Sequence, residues 1–268
     1  MNASPSLPKG LAPRLIAVDL DGTIVAQSAG IEPVVARAVI GVQERGAIVV
    51  AATGRGLSTT APVAREAGMH EWAIVSNGAV IGRIDPEEVI EARTFDPTDL
   101  LRALVPLIPG AMFVVERPDG RFLSTEHFVD GGVSTLIEEV PLAELSAEPV
   151  VRVIARSHHH VDDGLGHVAA HLGAQSVSHG VTDVAWLDLG IPGISKATGL
   201  AALCERLGIA ASEVLAIGDS MNDIEMLDWA GYSVAMGHAS ASVRAHADFI
   251  AEPIPGLGAA AVLDALCL

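Results

Sequence analysis

Lysine is almost missing from this chain. Only Lys9 and Lys196 occur in 268 residues, and 16 basic residues face 33 acidic ones, a formal charge of -17. Binding to nucleic acid or to an anionic membrane depends on Lys and Arg neutralising phosphates, so neither is expected as a partner. A small phosphorylated ligand must be drawn in by a few local cations rather than by the overall field. Aromatic residues make up 3% of a chain that is half hydrophobic. The core must therefore be built from Ala, Val, Leu and Ile, the texture of buried parallel strands under helices. Cysteine occurs only at Cys204 and Cys267. That implies no disulfide framework and suits a reducing, cytoplasmic setting in which a free thiol packs as a small apolar group. No stretch reaches the ~18 uninterrupted apolar residues of a membrane span, and the Ala-rich end at 259–268 is broken by Asp264. Residues 1–14 lack an apolar run of signal-peptide length and read as a flexible lead-in.

What is present alternates strand and helix. The apolar run 15–18 ends in Asp19. Residues 32–45 follow with helical spacing at Val35, Val39 and Val42, Pro33 suiting the first turn and Gly46 the stop. A second strand is expected over 47–52, a helix to about 68, and a third strand over 72–76 closed by Asn77. This order predicts a doubly wound, Rossmann-like α/β fold with a parallel sheet, whose ligands collect at the carboxyl ends of the strands. The pattern resumes at Ser195, which suits the cap of a helix ending at Gly208, and continues with a strand over 214–218, a short helix over 221–229, and strands near 232–236 and 248–251.

Between these halves the texture changes. Turn residues at 85–86, 96–97, 118–120 and 131–132 separate stretches at 111–116, 121–125 and 150–155, with helical pieces at 97–107 and 161–172. Residues 118–120 read as a hairpin turn. The expectation is an α+β module over 83–188 inserted into a catalytic core of 1–82 and 189–268.

Asp19 and Asp21 end the first strand. Residues two apart on a strand share a face, and two neighbouring carboxylates repel unless a cation lies between them or one holds a proton. Magnesium, with its preference for oxygen ligands, fits the first case. In the 218–223 segment, Asp219 and Asp223 are four apart, a spacing that puts them on one helix face.

The segments D-L-D-G-T-I at 19–24, A-T-G-R at 52–55, Lys196 and G-D-S-M-N-D at 218–223 resemble, in order and spacing, the haloacid dehalogenase-like phosphohydrolases. The long insert resembles the cap domain of their Cof-type, sugar-phosphatase-like branch. The resemblance implies a Mg2+-dependent phosphatase acting on a small phosphorylated metabolite, with sugar phosphates the default. Asp19 would be the nucleophile that carries the phosphoryl group. Asp21 would act as acid and then base, its backbone carbonyl meeting the metal. Thr53 and Lys196 would hold the phosphate oxygens. Asp219 would be a side-chain metal ligand, and Asp223 would bind the metal directly, through water, or orient Lys196. Asn222 would touch phosphate, with Arg55 and Asn77 near the phosphate mouth.

His238 departs from the branch pattern, which carries Asn after Gly237, and this bears on substrate contacts rather than on the chemistry. The run His158, His159, His160 has no matching ligand cluster and reads as a solvated turn. Two other functions fit the same motifs: a phosphomutase of the superfamily, or an idle phosphometabolite-binding regulator, against which the intact acids and lysine argue. Substrate identity and oligomeric state leave no mark in the sequence.

Overall fold

A computed structural model describes residues 7–8, 10–26, 30–127, 137–159, 165, 167–168, 176–181 and 184–267. Contacts divide the chain into two compact units, Met1–Ile90 with Ser195–Leu268, and Glu91–Ile194.

The first unit is built on β1 (Leu15–Val18), β2 (Ile48–Ala52), β3 (Trp72–Val75), β4 (Val80–Arg83), β5 (Glu88–Ala92), β12 (Val214–Gly218), β13 (Tyr232–Ala235) and β14 (Phe249–Ile250). They form one sheet in the order β14-β13-β12-β1-β2-β3-β4-β5. The six strands from β14 to β3 are parallel, joined through helices that include Pro33–Glu44, Leu57–Glu66 and Lys196–Leu207. The doubly wound α/β reading of the sequence holds here. One addition was not legible: β4 runs antiparallel to β3. Ser76 and Asn77 adopt φ of 51° and 53°, and Gly78 follows at 96°. Three successive left-handed residues reverse the chain at once, where the sequence suggested only a strand end. The β4 and β5 strands extend the sheet beyond the composition break near 83, and the two units divide between Ile90 and Glu91.

The core of this unit is aliphatic. Leu15, Ala17, Val50, Ile74, Leu200, Leu203, Val214 and Ala216 pack together fully buried, and each large aliphatic side chain contributes roughly 1.5–3 kcal/mol by leaving water. The scarcity of aromatic residues is met by close packing of small ones.

The second unit carries β6 (Met112–Glu116), β7 (Phe122–Ser124), β8 (Ile137–Glu139), β9 (Arg152–Ser157), β10 (Ser176–Val181) and β11 (Val184–Leu189), in the order β10-β11-β9-β6-β7-β8. All described pairings but β7 with β8 are antiparallel. The turn at 118–120 joins β6 to β7 as a hairpin. Alternate residues face opposite ways: Phe113, Val115, Val153, Ala155, Ala185 and Leu187 pack with Leu101, Leu104 and Leu145 from helical segments. The other face carries a buried ion triad, Arg152 Nε donating to Glu116 at 2.7 Å and its Nη1 to Asp188 at 2.7 Å. The helix expected over 161–172 falls mostly outside the described residues, as does His160, while His158 and His159 are exposed.

Candidate active site

The site follows from strand register. Val18 pairs with Ala51 on one side and Ile217 on the other, and Ala52 with Ile74. One residue further along each strand, the Asp19 amide donates to the Ile217 carbonyl and the Thr53 amide to the Ile74 carbonyl, both at 2.9 Å. Asp19, Thr53, Asn77 and Asp219 thus leave the sheet at one carboxyl edge.

Lys196 enters from the first turn of its helix. It is 1% exposed, and its Nζ donates to Asp19 Oδ1 at 2.7 Å and to Asp223 Oδ1 at 2.6 Å. A solvated lysine is therefore excluded. The helix is brought in by contact with the 76–78 turn, where a side chain on Gly78 would run into the Ser195 carbonyl. Asp223 is anchored in turn, its Oδ2 accepting from the amides of Asp219 at 3.0 Å and Ser220 at 2.8 Å. One of its oxygens thus meets Lys196 and the other meets two amides.

Burial opposes the charge on Lys196, but Asp19 and Asp223 outweigh it and hold the ammonium above its ordinary range. Burial pushes the Asp19 carboxyl well above the usual carboxylate range, Lys196 pulls it back, and Asp223 and Asp219 raise it again. One lysine does not balance these acids.

Asp19 and Asp21 part company. β1 ends at Val18, so the alternation of a strand does not carry through to Asp21. Asp19 turns inward to Lys196, whereas Asp21 is half exposed and held by Arg55, whose Nε donates to Oδ2 at 2.7 Å and Nη2 to Oδ1. Asn222 Nδ2 donates to Asn77 Oδ1 at 2.9 Å, joining two elements 145 residues apart.

Three neighbours of Asp219 were missed in the sequence. Thr23 Oγ1 donates to its Oδ1 at 2.9 Å, Ser220 Oγ to its Oδ2 at 3.3 Å, and His238 Nε2 lies 3.4 Å from that same Oδ2. Thr23 sits within the D-L-D-G-T-I segment, so the motif held the signal. His238 Nδ1 donates to the Pro253 carbonyl at 3.1 Å, and this contact has no local sequence mark.

Among the described residues, the carboxylates that gather are Asp19, Asp219 and Asp223, with ligand atoms within 4.8 Å of one another. Their surplus of negative charge and all-oxygen character fit a hard divalent cation. The side chain of Asp21 is outside this group.

The model of the haloacid dehalogenase-like hydrolases matches residues 16–108 and 146–263. The chain belongs to this family, and within it is a phosphatase of the Cof type, a phosphoric monoester hydrolase. It is 28% identical over 260 residues to the pyridoxal phosphate phosphatase YbhA of Escherichia coli, covering 88% of this chain and 92% of that one. It is 26% identical over 245 residues to the 5-amino-6-(5-phospho-D-ribitylamino)uracil phosphatase YcsE of Bacillus subtilis, covering 89% and 90%. Among solved structures, the phosphatase BT1666 of Bacteroides thetaiotaomicron shares the fold, with a TM-score of 0.76 at 24% identity over 97% of each chain. Hydrolases of this family generally use a divalent metal ion, and the acidic group found here is of the right kind. Among the described residues, no helix is long and apolar enough to cross a membrane.

Proposed function

We propose that this chain is a Mg2+-dependent phosphatase that hydrolyses a small phosphorylated metabolite through an aspartyl-phosphate on Asp19. The observation that carries the reading is the buried contact of Asp19 Oδ1 with Lys196 Nζ beside Asp219 and Asp223. A nucleophilic carboxylate and a fixed cation meet there, away from water, where fixed charges act most strongly.

In the first step an oxygen of Asp19 attacks phosphorus in line with the ester bond. The bond to the leaving oxygen breaks, and Asp21 gives that oxygen its proton. In the second step water attacks phosphorus, Asp21 takes the water's proton, and the acyl-phosphate bond breaks to free phosphate and restore Asp19. Lys196 and the Thr53 hydroxyl hold the equatorial oxygens, and Asn222, set by Asn77, adds a donor. Asp19, Asp219 and the Asp21 carbonyl hold Mg2+, which when bound offsets the charge of substrate and carboxylates together. Asp223 serves by holding Lys196. Residues 91–194 are assigned the choice of substrate, since the first unit already supplies every group the phosphoryl chemistry needs.

Among substrates, sugar phosphates come first, with vitamin phosphates next, in view of the pyridoxal phosphate and ribitylaminouracil phosphate relatives. The test is phosphate release by the purified protein with Mg2+ across phosphorylated sugars, nucleotides and vitamins, beside Asp19→Asn. Release that depends on both Mg2+ and Asp19 is expected. Isomer formation without phosphate release would instead make the chain a mutase, and turnover by Asp19→Asn would end the covalent mechanism.

A further inference from the structure

Arg55 is the fixed partner and Asp21 the free one. The Arg55 amide donates to Thr53 Oγ1 at 3.2 Å, and its carbonyl accepts from the Ser76 amide at 2.8 Å, so its backbone is tied to the ends of two adjacent strands. Asp21 lies past the end of β1, in a turn where the Gly22 amide donates to the Val25 carbonyl at 3.0 Å, and its side chain is 54% exposed. The two parallel bonds from Arg55 set both its position and its plane, which a lysine's point charge does not do. Hydrogen bonding to Asp21 comes first among the effects that push the Arg55 guanidinium above its ordinary range.

We propose that Arg55 is a positioning residue that acts through Asp21, aiming the acid–base carboxylate at the leaving oxygen and then at water, rather than gripping the transferring phosphate. This rests on the role given to Asp21 above. Lys196 and Thr53 remain as the donors that face the phosphoryl group, and Arg55 is assigned to the proton.

Leaving-group dependence separates the two roles. A 4-nitrophenyl ester departs as a stable phenolate and needs no proton, whereas an alkyl ester departs as an alkoxide and does. The ratio kcat/KM reports the step in which the ester bond breaks, so it reads the acid directly. Wild type, Arg55→Gln, Arg55→Lys and Asp21→Asn are compared with Mg2+ on 4-nitrophenyl phosphate and on an alkyl phosphate substrate, with vanadate as a phosphate mimic. Arg55→Gln is expected to lower kcat/KM on the alkyl ester by about 100-fold, the scale of general acid catalysis, and on the aryl ester by only a few-fold. Vanadate inhibition stays unchanged, and Arg55→Lys recovers little. Thermal unfolding at wild-type temperature in both variants shows that the loss is not one of folding.

Equal losses on both esters, with vanadate weakened in proportion, would overturn the proposal and put Arg55 on the phosphate. No loss on either ester would overturn it too, leaving an idle surface pair. If Asp21→Asn itself shows no difference between esters, the acid–base role beneath the proposal fails. That failure is visible in the Asp21 variant alone, whatever Arg55 does.

Discussion

The ammonium of Lys196 lies 2.6 Å from Oδ1 of Asp223, with both side chains out of reach of solvent. Twenty-seven positions apart in sequence, they close a chain of contacts that runs from the amides of Asp219 and Ser220, through Asp223 and Lys196, to Asp19. A charge buried this deeply depends on its partners.

Removing one partner leaves the others exposed to that cost. Asp223→Ala strips Lys196 of one counter-charge and leaves two amides without their acceptor, and breaking a buried pair in this way costs about 3–5 kcal/mol. Urea unfolding should show that loss, together with loss of turnover. Asp223→Asn keeps an acceptor and should fall between wild type and Asp223→Ala. A wild-type unfolding midpoint in Asp223→Ala would mean that the contact is not formed in solution.

Asp19 acts in the opposite direction. A carboxyl whose pKa is raised on folding favours the fold at low pH, and that contribution is lost as pH rises from the unfolded value near 3.8 up through the folded one. At neutral pH without divalent ion, the burial of Asp19 therefore weighs against the fold. Asp19→Asn should melt a few degrees higher than wild type in chelator at pH 7, and the gap should close toward pH 4. Saturating Mg2+ should reverse the order, because an ion that binds the native chain stabilises it. A variant that melts below wild type in chelator at pH 7 would mean that the bond to Lys196 outweighs burial.

These relationships were unevenly legible in the sequence. The sheet, and the placing of Asp19, Thr53 and Asp219 at one of its edges, could be read because parallel strands of similar length end together, so a polar residue after each apolar run lands on one edge. The divergence of Asp19 and Asp21 could not, since alternation holds only while the strand lasts and β1 stops at Val18. The turn through Ser76 and Asn77 was hidden because two non-glycine residues with positive φ break the local rule, and bonds from their amides to the Arg55 and Thr53 carbonyls hold them there. The Arg152, Glu116 and Asp188 triad was equally silent: each is an ordinary charged residue until three strands align them.

Metal affinity tests the surroundings of Asp219. Thr23, Ser220 and His238 all meet its carboxylate, and His238 is itself pinned to the Pro253 carbonyl. Groups that orient a ligand typically change metal affinity 10–100-fold when removed, so His238→Ala should weaken Mg2+ binding by about 10-fold or more, read by titration calorimetry. Its melting temperature in chelator should stay near that of wild type, since the imidazole is partly exposed. Unchanged affinity would place His238 outside the orientation of Asp219.

Gly78 tests whether the turn after β3 delivers Lys196. Its φ is +96°, and an added Cβ would collide with the backbone of Ser195, immediately before the lysine. Gly46 has a similar φ of +91° with open space around it. Both alanine substitutions carry the left-handed penalty, roughly 1–2 kcal/mol, but only Gly78→Ala forces two backbones apart. Gly46→Ala should therefore lose modest stability and keep full phosphatase activity. Gly78→Ala should lose several kcal/mol, of the order seen for severe backbone or core damage, and the turnover of its folded fraction should fall with the displacement of Lys196. Equal behaviour of the two variants, in urea unfolding and in activity per folded molecule, would show that the 76–78 turn does not set the lysine.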